Sequence, residues 1–223
     1  MRVWLFALMV SLLAVPALPQ CGAGGDPGGG GDCTGGDYCP PECFDCGPIL
    51  YSPIAFKTHP GPWRLTSIGN GVSFDIDGSG MKRFVAWTAA DSEIAFLALD
   101  RNGNGVIDDA TELFGFGTPL LNGKRARNGF IALADFDVNQ DGVIDASDPV
   151  WSSLLLWIDR NHDGLSQPDE LIRVASSGMT GIELGHNWQV ARDASGNFFG
   201  YSAQVHFGAR VDTFHDIFFK IQK

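Results

Sequence analysis

Apolar and polar positions alternate at both ends of the folded part of this chain and change rhythm in its middle. Pro48–Phe56 is apolar but interrupted by two prolines, which predicts an edge strand or a docked extended segment. Trp63–Ile68 predicts a short strand. Gly71–Ile76 alternates, Asp77-Gly78-Ser79-Gly80 reads as a turn, and Lys82–Trp87 returns, so this stretch predicts a hairpin. Asn128–Phe136 carries apolar residues at 130, 131, 133 and 136, which is helical spacing. A further helix is expected to start at Pro149, with Trp151, Leu154, Leu155 and Ile158 as its apolar face and Leu156 and Trp157 widening it. Asp169–Ala175 predicts a last short helix. Gly181–Leu184, Trp188–Ala191, Phe198–Phe207 and Phe214–Ile221 then predict strands, separated by turns at 193–197 and 208–209.

The polar breaks in the middle have a spacing of their own. From Asp137 the chain reads DVNQDGVIDASD, and from Asp159 it reads DRNHDGLSQPDE. Asp137, Asn139 and Asp141 stand at positions 1, 3 and 5, followed by Gly142 and closed by Asp148 at 12. Asp159, Asn161, Asp163, Gly164 and Glu170 repeat the pattern. That is the spacing of an EF-hand calcium loop. Oxygens at alternate positions of a tight turn converge, glycine at 6 permits the turn, and the carbonyl at 7 (Val143, Leu165) adds a ligand. A third loop holds Asp100, Asn102, Asn104, Gly105 and the Val106 carbonyl, with Thr111 at 12 and Glu112 one place later as the closing acid. Two of its ligands are neutral, so weaker binding is expected there. Asp75, Asp77, Ser79 and Gly80 imitate the start of a loop, but Arg83 and Ala86 stand where an acid and a closing acid belong; this is a hairpin turn first and a degenerate ion site second. The alternative for all of these loops is a set of Asx-rich turns without metal. The calcium interpretation requires Asp159, Asp163 and Glu170 to share a centre. The fold class implied is α+β: short helices around tandem EF-hand-like calcium loops, flanked by antiparallel β strands.

Composition sharpens this picture. The 223 residues carry a formal net charge of −11 with 44% hydrophobic residues, so the chain has material for a core. The charge disfavours nucleic acid or an anionic membrane as partner and favours cations. Residues 1–20 read as a signal peptide, with Arg2 before the apolar run Val3–Val15 and a cut after Ala17. Leu18-Pro19-Gln20-Cys21 offers a lipobox alternative, which would make Cys21 a lipid anchor and the only route to a membrane. All five cysteines (Cys21, Cys33, Cys39, Cys43, Cys46) lie in a Gly/Cys-rich linker spanning 21–48. Disulfides suit an oxidising compartment, with a four-thiolate zinc site as the alternative. The calcium-binding domain is expected over 49–223, secreted or at the cell surface.

In order along the chain, FDIDGSG, AWT, FLALDRNGNGVIDDATELFG, NGFIALADFD, DGVIDASDPVWSSLLLW, DRNHDGLSQPDEL and a closing HDIFF resemble an exported bacterial EF-hand-like calcium-binding domain. The domain is similar to the calcium-dependent self-processing module of RTX-type iron-regulated proteins, over about 53–220. The resemblance implies calcium-dependent folding, with the acids named above as ligands. Its self-processing members cut an Asp-Pro bond ahead of a proline-led apolar strand. Here Gly47 and Ser52 precede Pro48 and Pro53, and Asp148-Pro149 lies inside a calcium loop, so self-cleavage is not expected. No G-x-S-x-G, H-E-x-x-H or Walker glycine loop occurs, and the five histidines are scattered, with His162 at an outward-facing loop position. The expected function is non-enzymatic calcium binding that stabilises the fold. A self-cleaving module and a calcium-stiffened adhesin for a surface or matrix protein or carbohydrate are the alternatives.

Overall fold

The computed structural model describes residues 51–222. The expected signal peptide, the expected lipid-anchor alternative at Cys21 and the cysteine linker lie outside the described residues. The described chain lies within one unit, Ile49–Lys223.

Eleven strands and one short helix make up the regular structure of the described residues, joined by 3₁₀ turns. β1 (Ile54–Lys57), β4 (Ile94–Ala98), β5 (Val143–Ile144), β6 (Leu155–Trp157), β7 (Leu171–Arg173), β8 (Gly181–Glu183), β9 (Asn187–Arg192), β10 (Phe198–Phe207) and β11 (Arg210–Phe218) form one sheet. Its order is β5-β8-β10-β11-β1-β4-β6-β7, with β9 pairing β10 off this path, and every pairing is antiparallel. β2 (Val72–Phe74) and β3 (Arg83–Val85) form a separate hairpin, as the alternation predicts. α1 (Gly129–Ala134) is six residues long and is capped by the Asn128 side chain, which accepts from Ile131 N at 2.8 Å.

The central strands β1 and β4 are buried on both faces, and that explains their sequence. In β1, Ile54 and Phe56 enter one apolar cluster while Ala55 enters the other. In β4, Ala95 and Leu97 alternate with Ile94, Phe96 and Ala98 in the same way. The first cluster is covered by Phe130 and Leu133 of α1 with Ile144 and Trp151; the second is covered by Val72, Phe74, Val85, Trp87 and Ile107. A strand with apolar residues on both sides reads as a continuous apolar run rather than an alternation.

Several expectations are corrected. The fold is mostly antiparallel β-sheet, not an α+β arrangement of helices around EF-hand-like loops. Pro149–Ser152 is a single 3₁₀ turn, and Leu155–Trp157 is strand β6, not helix. Leu156 faces the first cluster and Trp157 the second, so the run LLLWI reflects burial on both faces. Asp169–Ala175 is not helical as a unit: it contains β7 and enters a 3₁₀ turn at Val174–Ser176. Of the predicted 48–56 segment, the described part gives no edge strand, because β1 lies between β11 and β4. Trp63–Ile68 makes only an isolated bridge, Leu65 to Thr88. One close approach fixes a residue type: a Cβ on Gly115 would lie 1.4 Å from the Ser52 carbonyl oxygen, so only glycine lets this strand-like bridge to Pro53 form.

Candidate functional site

The three acid-rich loops fold to one hydrogen-bonding plan. In each, the first-position carboxylate accepts the backbone N–H groups of positions 5 and 6. Asp137 receives Asp141 N at 3.3 Å and Gly142 N at 3.0 Å; Asp159 receives Asp163 N at 3.1 Å and Gly164 N at 2.9 Å. Asp100 receives Asn104 N at 3.2 Å and Gly105 N at 2.9 Å, with Gly103 N at 2.7 Å in addition. The third-position Asn102, Asn139 and Asn161 each accept the N–H of position 5. The fifth-position Asn104, Asp141 and Asp163 accept the N–H of Val106, Val143 and Leu165. The sixth-position glycines have φ of 85°, 82° and 72°, which a side chain would strain.

The closing acids share a second plan. Asp148 accepts Val138 N at 3.0 Å and Asp145 N at 3.2 Å; Glu170 accepts Arg160 N at 2.8 Å and Gln167 N at 3.4 Å. Glu112 accepts Arg101 N and Asp108 N, both at 3.1 Å. Each therefore bonds positions 2 and 9 of its own loop. Thr111 is turned away, its hydroxyl and N–H both on Asp109, so Glu112 takes the closing place despite its one-residue offset.

Burial sets the charges. Asp148, Asp159, Glu112 and Glu170 are all buried. Burial pushes the Asp159 carboxyl above the usual carboxylate range, helped by the Glu170 charge and opposed by the Gly164 and Asp163 N–H groups and the Trp87 indole. Burial likewise raises Glu112, against the backbone bonds it accepts.

The loops are not gathered in one place. Ile107, at position 8, belongs to the second apolar cluster and Ile144, also at position 8, to the first. The loops at 100 and 159 are tied together: Ser166 Oγ accepts Ile107 N at 2.6 Å and lies 3.2 Å from Ile107 O, to which it donates. The loop at 137 is held elsewhere, with Val143 paired to Glu183 across β5 and β8. The loop at 159 also docks on the β2–β3 hairpin. Trp87 Nε1 donates to Asp159 Oδ2 at 2.8 Å, Gly164 lies against Val72, and the His162 ring nitrogens lie 2.7 Å from Thr88 O and 2.8 Å from Asn70 O. The outward position expected for His162 is thus an inter-element clasp. Trp87, Ser166 and His162 were missed by spacing because their partners are 72, 59, 74 and 92 residues away in the chain.

The imitation loop follows the same plan at its start. Asp75 accepts Ser79 N at 3.1 Å and Gly80 N at 2.7 Å, and Asp77 accepts Ser79 N at 3.1 Å. Its ninth residue, Arg83, lies 3.0 Å from Asp77 Oδ2 and brings a guanidinium into the loop.

The oxygen-only donor set suits a hard cation such as calcium. The shared centre required of Asp159, Asp163 and Glu170 is not formed: their oxygens turn onto backbone and amide N–H groups. Among the described residues no group of three or more His, Cys, Asp or Glu converges as a metal cage. No described helix is long and apolar enough to cross a membrane. Elsewhere, Ser52, which precedes Pro53, is buried with its Oγ accepting Phe116 N.

Residues 61–220 match the family model of the SPM domain, which covers most of the chain, and the protein belongs to that family. The chain is 39% identical over 116 residues to the iron-regulated protein FrpA of Neisseria meningitidis serogroup C. The match covers 52% of this chain and 10% of FrpA, so the chain corresponds to a small part of that relative's length. A bacterial iron-regulated relative agrees with the RTX-related part of the sequence expectation. The EF-hand-like identification itself is corrected: the family is the SPM domain, and its loops sit among strands and 3₁₀ turns rather than between paired helices.

Proposed function

We propose that this SPM domain is an exported, non-enzymatic module whose sheet is stabilised by calcium in the loops beginning at Asp100, Asp137 and Asp159. The observation that carries this reading is one oxygen-rich plan with a buried closing acid, repeated three times, in loops joined at 100 and 159 and in one held apart at 137. Asp100, Asn102, Asn104, Val106 and Glu112 would serve the first loop. Asp137, Asn139, Asp141, Val143 and Asp148 would serve the second, and Asp159, Asn161, Asp163, Leu165 and Glu170 the third. Asp159, Asp163 and Glu170 do not share the centre this reading requires, so bound calcium would have to turn their oxygens from the present N–H donors onto the ion. A site held at a hundred times its Kd would stabilise the fold by about 2.7 kcal/mol. Calorimetry with calcium and with EGTA is the test. Expected are a higher melting temperature with calcium and the loss of about one site's worth in Glu170→Gln.

A second reading has its own support. The carboxylates are already satisfied by backbone N–H groups and form no cage, as metal-free Asx turns would. A melting temperature indifferent to calcium and EGTA selects it. We infer also that the module acts outside the cytoplasm, where calcium is plentiful, with a surface or matrix protein or carbohydrate as partner.

A further inference from the structure

We propose that Asn104 is a site of spontaneous deamidation built into the loop that begins at Asp100. Five Asn-Gly pairs occur in the chain, at Asn70, Asn102, Asn104, Asn122 and Asn128. Such a pair reacts when the glycine nitrogen attacks the asparagine side-chain carbon. At Asn104 a proton acceptor and contacts to the oxygen and to the departing nitrogen are all in place. The attacking nitrogen, Gly105 N, donates its hydrogen to Asp100 Oδ2 at 2.9 Å, so a carboxylate stands ready to accept the proton. The side-chain oxygen that gains charge, Asn104 Oδ1, accepts Val106 N at 2.9 Å. The departing nitrogen, Asn104 Nδ2, is held by Asp108 Oδ2 at 2.9 Å. Both residues are exposed, and no atom crowds the open face of Gly105.

The step balances without an oxidant. The Gly105 N–Cγ bond of a succinimide forms, and the Gly105 proton passes to Asp100. The Cγ–Nδ2 bond breaks, and the nitrogen takes up a proton and leaves as ammonia. Water then opens the ring to aspartate or isoaspartate. One water is consumed and one ammonia released.

The other pairs lack part of this set. Gly123 N donates to the Leu120 carbonyl at 3.0 Å and Gly71 N to the Ile68 carbonyl at 3.4 Å, and a carbonyl is no base for this proton. Asn128 has a carboxylate on its glycine, Asp216, but is buried as the cap of α1. Asn102 shares Asp100 through Gly103 N at 2.7 Å, and Asn104 N serves its side-chain oxygen, but among the described residues no carboxylate holds its Nδ2 as Asp108 holds that of Asn104. The aspartate product at 104 would carry acid, asparagine and acid at positions 1, 3 and 5, as the loops at 137 and 159 do. This consequence rests on the proposed calcium function; the modification itself does not.

The test is peptide mapping by mass spectrometry of the full chain, aged in mildly alkaline buffer with EGTA or with calcium. A gain of one mass unit is expected at Asn104 before Asn122, and Asp100→Asn should slow it several-fold relative to Asn122 in the same sample. Asn104→Gln should remove the gain from that peptide except for any share at Asn102. Earlier modification at Asn122, or a ratio unchanged by Asp100→Asn, overturns the proposal. Should Asp100→Asn unfold the chain, the order of Asn104 and Asn122 in the natural sequence decides. Calcium should protect Asn104 by occupying Asp100. Equal rates in calcium and EGTA, with Asn104 still first, would count against calcium at this loop and leave the modification standing.

Discussion

Two loops on the same hairpin share a backbone plan and differ in how their charge is met. The loop from Asp75 to Ala86 holds two acids and two bases, and its ninth residue, Arg83, reaches Asp77 at 3.0 Å. The loop from Asp159 to Glu170 holds four acids and one arginine. Its ninth residue, Gln167, donates to Asp163 Oδ2 at 2.8 Å, but without a charge. Burial works against the charge of Asp77, yet the Ser79 and Asp75 hydrogen bonds and the Arg83 guanidinium outweigh it and hold that carboxyl below the usual range. Asp159 is held above it by burial, as is Asp75 at the matching first position of the other loop, so the difference lies at Asp77 and its guanidinium. The first loop carries its own cation; the second is left with uncompensated acid. The comparison teaches that one hydrogen-bonding plan serves loops of unlike charge; on the proposed calcium function, the charge balance at positions 9 and 12 selects which of them takes the ion.

The largest expected effect comes from the contact that binds the second loop to the core. Trp87 is fully buried among Phe74, Phe96, Trp157 and Phe219 and gives its indole N–H to Asp159. Trp87→Phe should cost about 2–4 kcal/mol, combining a lost charge-assisted bond with a small void. Urea unfolding measures it. If the loop at 159 were loosely attached, the loss would fall to the void alone, and the contrast with the self-neutralised loop would weaken.

The pattern of apolar residues revealed the last strands and the hairpin, and the spacing revealed the loops. What it concealed has a physical reason. Leu154-Leu155-Leu156-Trp157-Ile158 is apolar throughout because β6 lies between β4 and β7 with clusters on both faces, and a short run of that kind has no period to read. Pro53 suggested an edge, yet β1 is central, since its proline precedes the strand and takes no ladder position within it. The spacing identified Asp159 and Glu170 but not Trp87 or Ser166, because contacts across 72 and 59 residues leave no local trace. Glu112 was legible only because an acid one place late still closes a loop when the chain makes a 3₁₀ turn at Ala110–Glu112.

An intermediate effect should appear in the pH dependence of the calcium-free protein, with opposite signs for Asp159 and Asp77. Asp159 binds its proton more tightly folded than unfolded. Its contribution is fully present at low pH and is lost as pH rises through the folded value, above the ordinary 3.8. Asp77 binds its proton less tightly when folded. Its contribution is present above 3.8 and is lost as pH falls through the lowered value. Asp159→Asn should therefore flatten the loss on raising pH, and Asp77→Asn the loss on lowering it. Denaturant midpoints collected across this window report both slopes. Slopes of the same sign would mean that Asp77 and Asp159 are not held as differently as argued.

The smallest effect is expected from removing the built-in cation itself. The Arg83 side chain is 43% exposed while that of Asp77 is 7% exposed, so solvent screens the pair from one side. Arg83→Ala should cost no more than about 1 kcal/mol on its own. With the guanidinium gone, Asp75 and Asp77 stand together as the first and third positions of a loop whose remaining cation is Lys82, although Ala86 still offers no closing acid. Arg83→Asp combined with Ala86→Glu restores acids at positions 9 and 12. Titration calorimetry should then show one more calcium bound than the natural chain takes up. An unchanged stoichiometry, in a variant that still melts cooperatively, would show that charge balance is not what separates the two kinds of loop.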